Sequence, residues 1–153
     1  MRYSIDTSAL VDAYRVHYAP HVFRSVWVVL AELADNGIMC APEEVLRELE
    51  ARDDDLLQWG KDHRVMFRPL DEAVQERAAH TLALYPALIN ADASGPAADP
   101  YVVALAEIER CAVVASEKAT GNPAKPHIPD VCKGLGIACL DLVGMFSQEG
   151  RVI

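Results

Sequence analysis

Short apolar runs alternate with longer amphipathic segments along the 153-residue chain. A continuous apolar run is typical of a strand buried on both faces of a parallel sheet, and residues 111–115 have this character. The longer segments place an apolar side chain every three or four residues, which is typical of a helix packed on a core. Strands are predicted at 3–6, 38–41, 65–67, 111–115 and 137–140. Their alternation with helices predicts an α/β fold around a mostly parallel sheet.

Proline and glycine mark where several predicted helices begin and end. Pro42 and Pro100 are each expected at a first helical position, with Asp99 as the N-cap before Pro100. Gly37 and Gly136 are expected to end the helices that precede them. Helices are thus predicted from residue 7, over 22–34, from 42, around 56–59, over 70–88, from 99, over 129–135 and over 142–146. Residues 90–98 are predicted to form a loop.

The composition is that of an ordinary globular protein, and it restricts the possible partners. Hydrophobic residues make up 52% of the chain and charged residues 24%, and the length predicts one domain over 1–153. The formal net charge of -9 argues against a protein held on nucleic acid or anionic lipid by bulk charge. It does not argue against nucleic-acid chemistry at a carboxylate metal site, because such a site also makes a chain acidic. The sequence shows neither a signal peptide nor an apolar stretch long enough to span a bilayer, so it predicts a cytoplasmic protein without a membrane partner.

Five acidic residues fall near the ends of predicted strands or the starts of predicted helices. They are Asp6, Glu48, Asp99, Glu117 and Asp130. Ligands of open parallel sheets bind outside the carboxyl ends of the strands, so at least Asp6 and Glu117 are expected to face one crevice. Converging carboxylates would suit a hard cation such as Mg²⁺ or Mn²⁺, which prefers oxygen ligands.

Each of these acids also has a structural interpretation. Asp99 suits an N-cap, and Asp130 suits the first turn of a helix, where a carboxylate interacts favourably with the helix dipole. Glu48 and Glu117 have charged neighbours along the chain and would suit solvated surface positions. Asp6 is harder to explain in this way, since it directly follows an apolar strand.

Four segments that contain these acids resemble the motifs of PIN-domain ribonucleases. Residues 3–10 resemble the first strand of that family, which ends in an Asp followed by a small hydroxyl or amide residue. Residues 42–49 resemble its second motif, in which a strand leads through Pro to a helix that bears a Glu before a Leu. Residues 99–105 resemble the third motif, an Asp at the head of an apolar helix. Residues 113–117 resemble the fourth, a strand that runs into a hydroxyl residue and an acid.

Three segments resemble, more narrowly, a PIN-like subgroup of uncharacterised bacterial proteins, domain of unknown function 4411 (DUF4411). They are 18–27, 44–59 and 128–132. Together the resemblances cover nearly the whole chain.

Two positions of the resemblance leave alternatives open. The fourth motif usually carries Thr and then Asp, whereas here Ala115 stands in place of the hydroxyl residue and Glu117 in place of the acid. Either Glu117 or Asp130 would therefore complete the site. Glu44 lies one helical turn before Glu48 on the same face and is an alternative to it, although Glu48 carries the following Leu.

The resemblance implies a three-layer α/β/α PIN-like domain with the activity of a Mg²⁺- or Mn²⁺-dependent ribonuclease, the toxin of a bacterial toxin–antitoxin pair. Asp6, Glu48 and Asp99 would hold the metal, with Glu117 or Asp130 contributing from the far side. The implied partners are an RNA substrate, a cognate antitoxin protein and a second copy of the chain in a homodimer.

Three residues are candidates for contacts with the phosphate backbone of a substrate. Ser8, Arg15 and Lys118 are chosen because they follow the acids of the first and fourth motifs closely. Two other functions compete with the ribonuclease. A binding module on the same fold would use the acidic crevice and the apolar helices to dock another protein, and a phosphohydrolase would cleave nucleotide or sugar phosphates.

Overall fold

The computed structural model describes residues 1–52, 55–89 and 97–153. Within these ranges five strands form one sheet, and each neighbouring pair is parallel. The strands are β1 (Tyr3–Ile5), β2 (Met39–Pro42), β3 (Phe67–Arg68), β4 (Ala112–Val114) and β5 (Cys139–Leu140). Their order across the sheet is β3-β2-β1-β4-β5. The predicted α/β class and its parallel sheet are confirmed.

Eight α-helices lie in the described ranges, and all but the last lie between strands. They are α1 (Thr7–Asp12), α2 (Arg24–Asp35), α3 (Glu43–Glu50), α4 (Asp55–Asp62), α5 (Glu72–Leu84), α6 (Asp99–Glu109), α7 (Ile128–Leu135) and α8 (Leu142–Gln148). A π-helical turn at Ala13–His17 extends α1, and 3₁₀ turns occur at Arg64–Met66 and Pro86–Leu88. No helix in the described ranges combines the length and the apolar character needed to cross a membrane.

The helices cover both faces of the sheet and make three layers. Connections between parallel strands are right-handed, so connections that run in opposite directions along the sheet place their helices on opposite faces. The chain runs one way from β1 to β3 and then returns past β1 to β4. Consistent with this path, α2 packs on β2, whereas α6 packs on β1 and β2 and is itself covered by α5.

The core is continuous around the two central strands. All residues of β1 and β2 are buried. On the helix that the sequence predicts over 22–34, Val26, Leu30 and Leu33 are buried in this core. The apolar face of α2 therefore packs inside the molecule.

Three local predictions are corrected by the structure. Pro42 is the extended last residue of β2 and the N-cap of α3, with ψ of 152°, and not the first helical residue. The helix predicted over 70–88 begins after the N-cap Asp71 and ends at Leu84, because Pro86 cannot continue it and its ring disfavours helical backbone at Tyr85. The strand predicted at 65–67 is mostly a 3₁₀ turn. Of the predicted loop 90–98, residues 90–96 lie outside the described residues.

Candidate functional site

The order of the strands reverses between β1 and β4. From β1 the chain builds the sheet outward through β2 to β3, whereas β4 and β5 lie on the other side of β1. Ligands of open α/β sheets bind at such a reversal, outside the carboxyl ends of the strands. Asp6 directly follows β1, and Glu117 comes three residues after the end of β4. The sheet therefore brings the first and fourth acids to one crevice, as the sequence predicts.

Asp6 is the most deeply buried of the candidate acids, with 3% of its surface exposed. Its main-chain amide donates to the carbonyl of Val114, which ties it to the end of β4 (2.8 Å). As N-cap of α1, its Oδ2 accepts a hydrogen bond from the amide of Ser8 (2.9 Å). Its Oδ1 is buried and has no hydrogen-bond partner among the described residues. A buried acceptor without a donor is costly, so this oxygen is a candidate ligand atom.

Glu48 joins three segments of the chain at the same place. Its Oε2 accepts a hydrogen bond from the hydroxyl of Thr7, at the start of α1. Its Oε1 accepts one from the amide of Ala98, immediately before α6 (2.9 Å). The alternative, Glu44, is buried and forms an ion pair with Arg47 on its own helix. Of these two glutamates, the structure places Glu48 beside Asp6.

Asp99 is the first residue of α6 and directly follows Ala98, whose amide donates to Glu48. The predicted N-cap role is wrong, because Ala98 occupies the N-cap and Pro100 is the second helical residue. One turn further along α6, the carbonyl of Val102 accepts a hydrogen bond from the buried hydroxyl of Ser4 in β1 (2.9 Å). This bond fixes the head of α6 against the central strand and brings Asp99 to the same crevice.

Glu117 and Asp130 differ in what their carboxylates do. Glu117 Oε2 accepts a hydrogen bond from the amide of Ile128 at the start of α7 (3.2 Å), and its charge acts on Asp6 and Asp99. Asp130 accepts hydrogen bonds from the amides of Thr120, Gly121 and His127 and from the Thr120 hydroxyl. These bonds to ionised oxygens hold the pKa of Asp130 well below its usual range. The first-turn role predicted for Asp130 is confirmed, since it forms a capping box with His127.

Four acids thus lie together, and we call Asp6, Glu48, Asp99 and Glu117 the acidic cluster. Burial raises the pKa of Asp6 to about 6, with smaller contributions from the charges of Glu117 and Glu48 and an opposing effect from the hydrogen bonds of Ser8. Burial also raises the pKa of Asp99 to about 8, and the charges of Asp6, Glu117 and Glu48 raise it further. Perturbed carboxylates in a crevice are typical of functional sites.

The three residues predicted to contact a substrate backbone lie in different surroundings. Ser8 Oγ accepts a hydrogen bond from the amide of Ser116 (3.1 Å), which links α1 to the segment after β4. Arg15 is exposed in the π-helical turn beyond α1. Lys118 is exposed next to Glu117, and its carbonyl accepts a hydrogen bond from the Nδ1 of His127 (3.0 Å).

Sequence reasoning missed the groups that position Glu48. The hydroxyl of Thr7 is part of the first motif, so its presence near Asp6 was visible, but its bond to Glu48 depends on how α1 packs against α3. The amide of Ala98 carries no signal in the sequence at all, because every residue other than proline has the same group.

Oxygen-rich clusters of this kind suit hard divalent cations. In the described residues, no group of three or more His, Cys, Asp and Glu side chains has its atoms already arranged to hold a metal ion. Carboxylate oxygens are the ligands that Mg²⁺ and Mn²⁺ prefer, and the unpartnered Oδ1 of Asp6 is the oxygen that would gain most from a cation.

Comparison with known proteins assigns the chain to a family. The model of the family described as domain of unknown function (DUF4411) matches residues 3–153, so the chain belongs to this family. This part of the resemblance is confirmed. A search of curated proteins finds no match.

Proposed function

We propose that this member of DUF4411 is a Mg²⁺- or Mn²⁺-dependent ribonuclease with a PIN-like active site, and that the acidic cluster is this site. The observation that carries the proposal is the convergence of four acids on the point where the strand order reverses. Structural roles explain Glu44, which an ion pair holds, and Asp130, which loop amides hold. No comparable structural partner among the described residues explains Oδ1 of Asp6.

The donor set of the acidic cluster fits a hard divalent cation. Asp6 would contribute its unpartnered Oδ1, and Glu48, Asp99 and Glu117 would complete the set of carboxylates. Burial, and then repulsion by neighbouring carboxylates, raises the pKa of Asp99, and a bound cation offsets that repulsion. When bound, Mg²⁺ or Mn²⁺ would polarise a phosphodiester and supply an activated water for its hydrolysis.

The residues of the chain itself would hold and orient these groups. Thr7 and the amide of Ala98 fix the two oxygens of Glu48, so this carboxylate is oriented in advance. Ser8 fixes one oxygen of Asp6 and leaves the other for a ligand. With a pKa of about 8, the carboxyl of Asp99 retains a proton near neutral pH and would release it when a cation binds.

The biological setting of the proposal follows from the resemblance to PIN-domain ribonucleases. It comprises a cytoplasmic toxin, a cognate antitoxin as protein partner, and a homodimer. Ser8, Arg15 and Lys118 remain the proposed contacts to the RNA backbone. Because the net charge is -9, substrate attraction would depend on the cation and on these local groups instead of on bulk charge.

The test is cleavage of a structured, end-labelled RNA in EDTA, Mg²⁺ or Mn²⁺ by the wild-type protein and by Asp6→Asn. We expect cutting that requires the cation and is lost in the variant. Glu44→Gln is the matched control, since it neutralises a buried glutamate outside the acidic cluster. If Asp6→Asn cuts as fast as the wild type, the acidic cluster is not the active site.

A binding module is the second candidate function, and the hydrogen bond that Glu117 accepts favours it. One of its oxygens is already used by the amide of Ile128, and the described residues contain no preformed metal-holding group. In this case the folded wild-type protein would leave RNA intact with every cation. A cation-dependent rise in melting temperature without cleavage would support a structural metal in such a module.

A further inference from the structure

A second concave site lies away from the acidic cluster, where the π-helical turn, α2 and α4 meet. It has a volume of about 280 Å³. We call it the aromatic pocket, and its lining residues are Tyr14, Pro20, His21, Trp27, Asp55 and Trp59. Both tryptophans of the chain line it.

The aromatic rings of this pocket pack edge to face in two pairs, and Trp27 belongs to both pairs. The rings of Tyr14 and Trp27 meet at 85° with centroids 5.8 Å apart, and those of Trp27 and Trp59 meet at 79° with centroids 5.3 Å apart. A flat nucleobase is held best between parallel faces, which these two pairs do not offer. The negative faces of rings that line a pocket attract a cation instead.

The polar groups of the aromatic pocket also favour a cation. The indole N–H of Trp27 donates to the carbonyl of Tyr18 (2.6 Å), and the hydroxyl of Tyr14 donates to Oδ2 of Asp55 (3.3 Å). These two donors are therefore already used within the protein, and the ring nitrogens of His21 and Trp59 are further polar groups of the lining. The second bond holds the carboxylate of Asp55 at the edge of the aromatic walls, where it supplies a negative charge.

Exposed apolar side chains beside the aromatic pocket indicate that the cation belongs to a peptide. The chain that leaves His21 continues into Val22 and Phe23, which are 63% and 43% exposed. A free small cation would gain nothing from such neighbours, whereas a peptide would cover them with the residues that flank its cationic side chain. The net charge of -9 also favours the approach of a basic peptide segment.

From this geometry we propose that the aromatic pocket binds an arginine or lysine side chain of a basic peptide segment of a partner protein. The rings of Tyr14, Trp27 and Trp59 contact the cationic group, Asp55 pairs with its charge, and Val22 and Phe23 contact the flanking residues. This site is separate from the acidic cluster and does not depend on the proposed nuclease activity.

The fluorescence of the two tryptophans that line the aromatic pocket can report the binding of a peptide. A blocked Leu-Arg-Leu peptide is titrated while tryptophan fluorescence is recorded, beside the same peptide with citrulline, which keeps the shape of arginine and lacks its charge. We expect a saturable change with the arginine peptide and about tenfold weaker binding of the citrulline peptide. Asp55→Asn should weaken the arginine peptide by about tenfold as well. Asp62→Asn is the matched control, because it removes the same charge from an exposed position of the same helix.

Further probes separate the proposal from its competitors. Gly-Arg-Gly should bind more weakly than Leu-Arg-Leu if Val22 and Phe23 contact the flanks. Tetramethylammonium that binds as tightly as the peptide would show a site for free small cations. Arg15 and Arg24 are exposed in the adjoining segments, and their charge favours phosphates. Nucleoside monophosphates are therefore titrated as the competing class of ligand. The proposal is overturned if nucleotides saturate the site and the arginine peptide does not, or if no probe gives a saturable signal. It is also overturned if the citrulline peptide binds as tightly as the arginine peptide, or if Asp55→Asn and Asp62→Asn have equal effects.

Discussion

At Asp99, burial and three neighbouring carboxylates raise the pKa to about 8. In the unfolded chain the pKa is near 3.8, so between these values the folded protein binds a proton that the unfolded chain has released. The free energy of unfolding therefore falls as the pH rises through this interval. Asp99→Asn keeps the shape of the side chain and removes the charge. We expect the variant, in chelator, to be more stable than the wild type near pH 8 by at least about 1 kcal/mol, with the difference disappearing toward pH 4.

Urea unfolding followed by circular dichroism across this pH range measures the effect. Glu50→Gln is a suitable control, since it removes one charge from an exposed position on α3. A variant that is less stable than the wild type at every pH would show that hydrogen bonds to the ionised carboxylate outweigh its repulsion. The pKa of Asp99 would then lie below its ordinary value instead of above it.

Glu48 and Glu44 give a comparison within one helix. Glu48→Gln removes the charge that Thr7 and Ala98 orient, whereas Glu44→Gln removes the partner of Arg47. We expect Glu48→Gln to weaken Mn²⁺ binding at least about tenfold, because a ligand carboxylate becomes a neutral amide. Glu44→Gln should change it less than about twofold. Isothermal titration with Mn²⁺ measures both, and equal effects would remove the distinction between the two glutamates.

At the scale of an element, Asp130 organises the segment between β4 and α7. Its carboxylate holds the amides of Thr120, Gly121 and His127. Asp130→Ala leaves these donors without their acceptor, so we expect faster hydrogen exchange at the three amides and a lower melting temperature. The rise in melting temperature caused by Mg²⁺ or Mn²⁺ should be unchanged, because Asp130 lies outside the acidic cluster. Loss of that rise in Asp130→Ala would instead make this residue a ligand, the alternative that the sequence left open.

Elements with strong local signals were predictable from the sequence. β1 lies within the strand predicted at 3–6, β4 lies in the continuous apolar run 111–115, and α7 ends before Gly136 as predicted. The errors occur where local signals compete. The apolar residues of 70–88 fit one helix, but Pro86 ends it, and Asp99 looks like an N-cap although Ala98 takes that position. A cap is decided by the backbone angles of a few residues, which the sequence alone does not specify.

The acids of the site were predictable to different degrees for a physical reason. Asp6 and Glu117 follow strands, and the carboxyl ends of parallel strands share one edge, so their proximity follows from local structure. Glu48 and Asp99 come together through the packing of α3 and α6, which depends on the whole core. The sequence left Glu117 and Asp130 open as alternatives for completing the site. Their hydrogen bonds differ only because the segment between them folds back onto Asp130.

For the whole molecule, the strand order creates an energetic conflict at one end of the sheet. The reversal beside β1 gathers four acids of a chain whose net charge is already -9. Their mutual repulsion opposes folding, and any ligand that binds the folded state and neutralises them stabilises the protein by linkage. We therefore expect millimolar Mg²⁺ or Mn²⁺ to raise the melting temperature of the wild type.

The size of this rise should depend on pH in a definite direction. Toward pH 5 the carboxyls of Asp6 and Asp99 retain protons, since their pKa values are about 6 and about 8, and a cation must displace these protons to bind. Near pH 8 Asp6 is ionised and Asp99 is close to half ionised, so the cation binds more tightly and relieves more repulsion. Thermal unfolding at the two pH values, with and without Mn²⁺, should show the larger rise near pH 8 and a smaller one there in Asp6→Asn. The cation would act on the general surface charge, and not on the acidic cluster, if the rise in melting temperature were equal at both pH values. The same would follow if Asp6→Asn and Glu50→Gln reduced the rise equally.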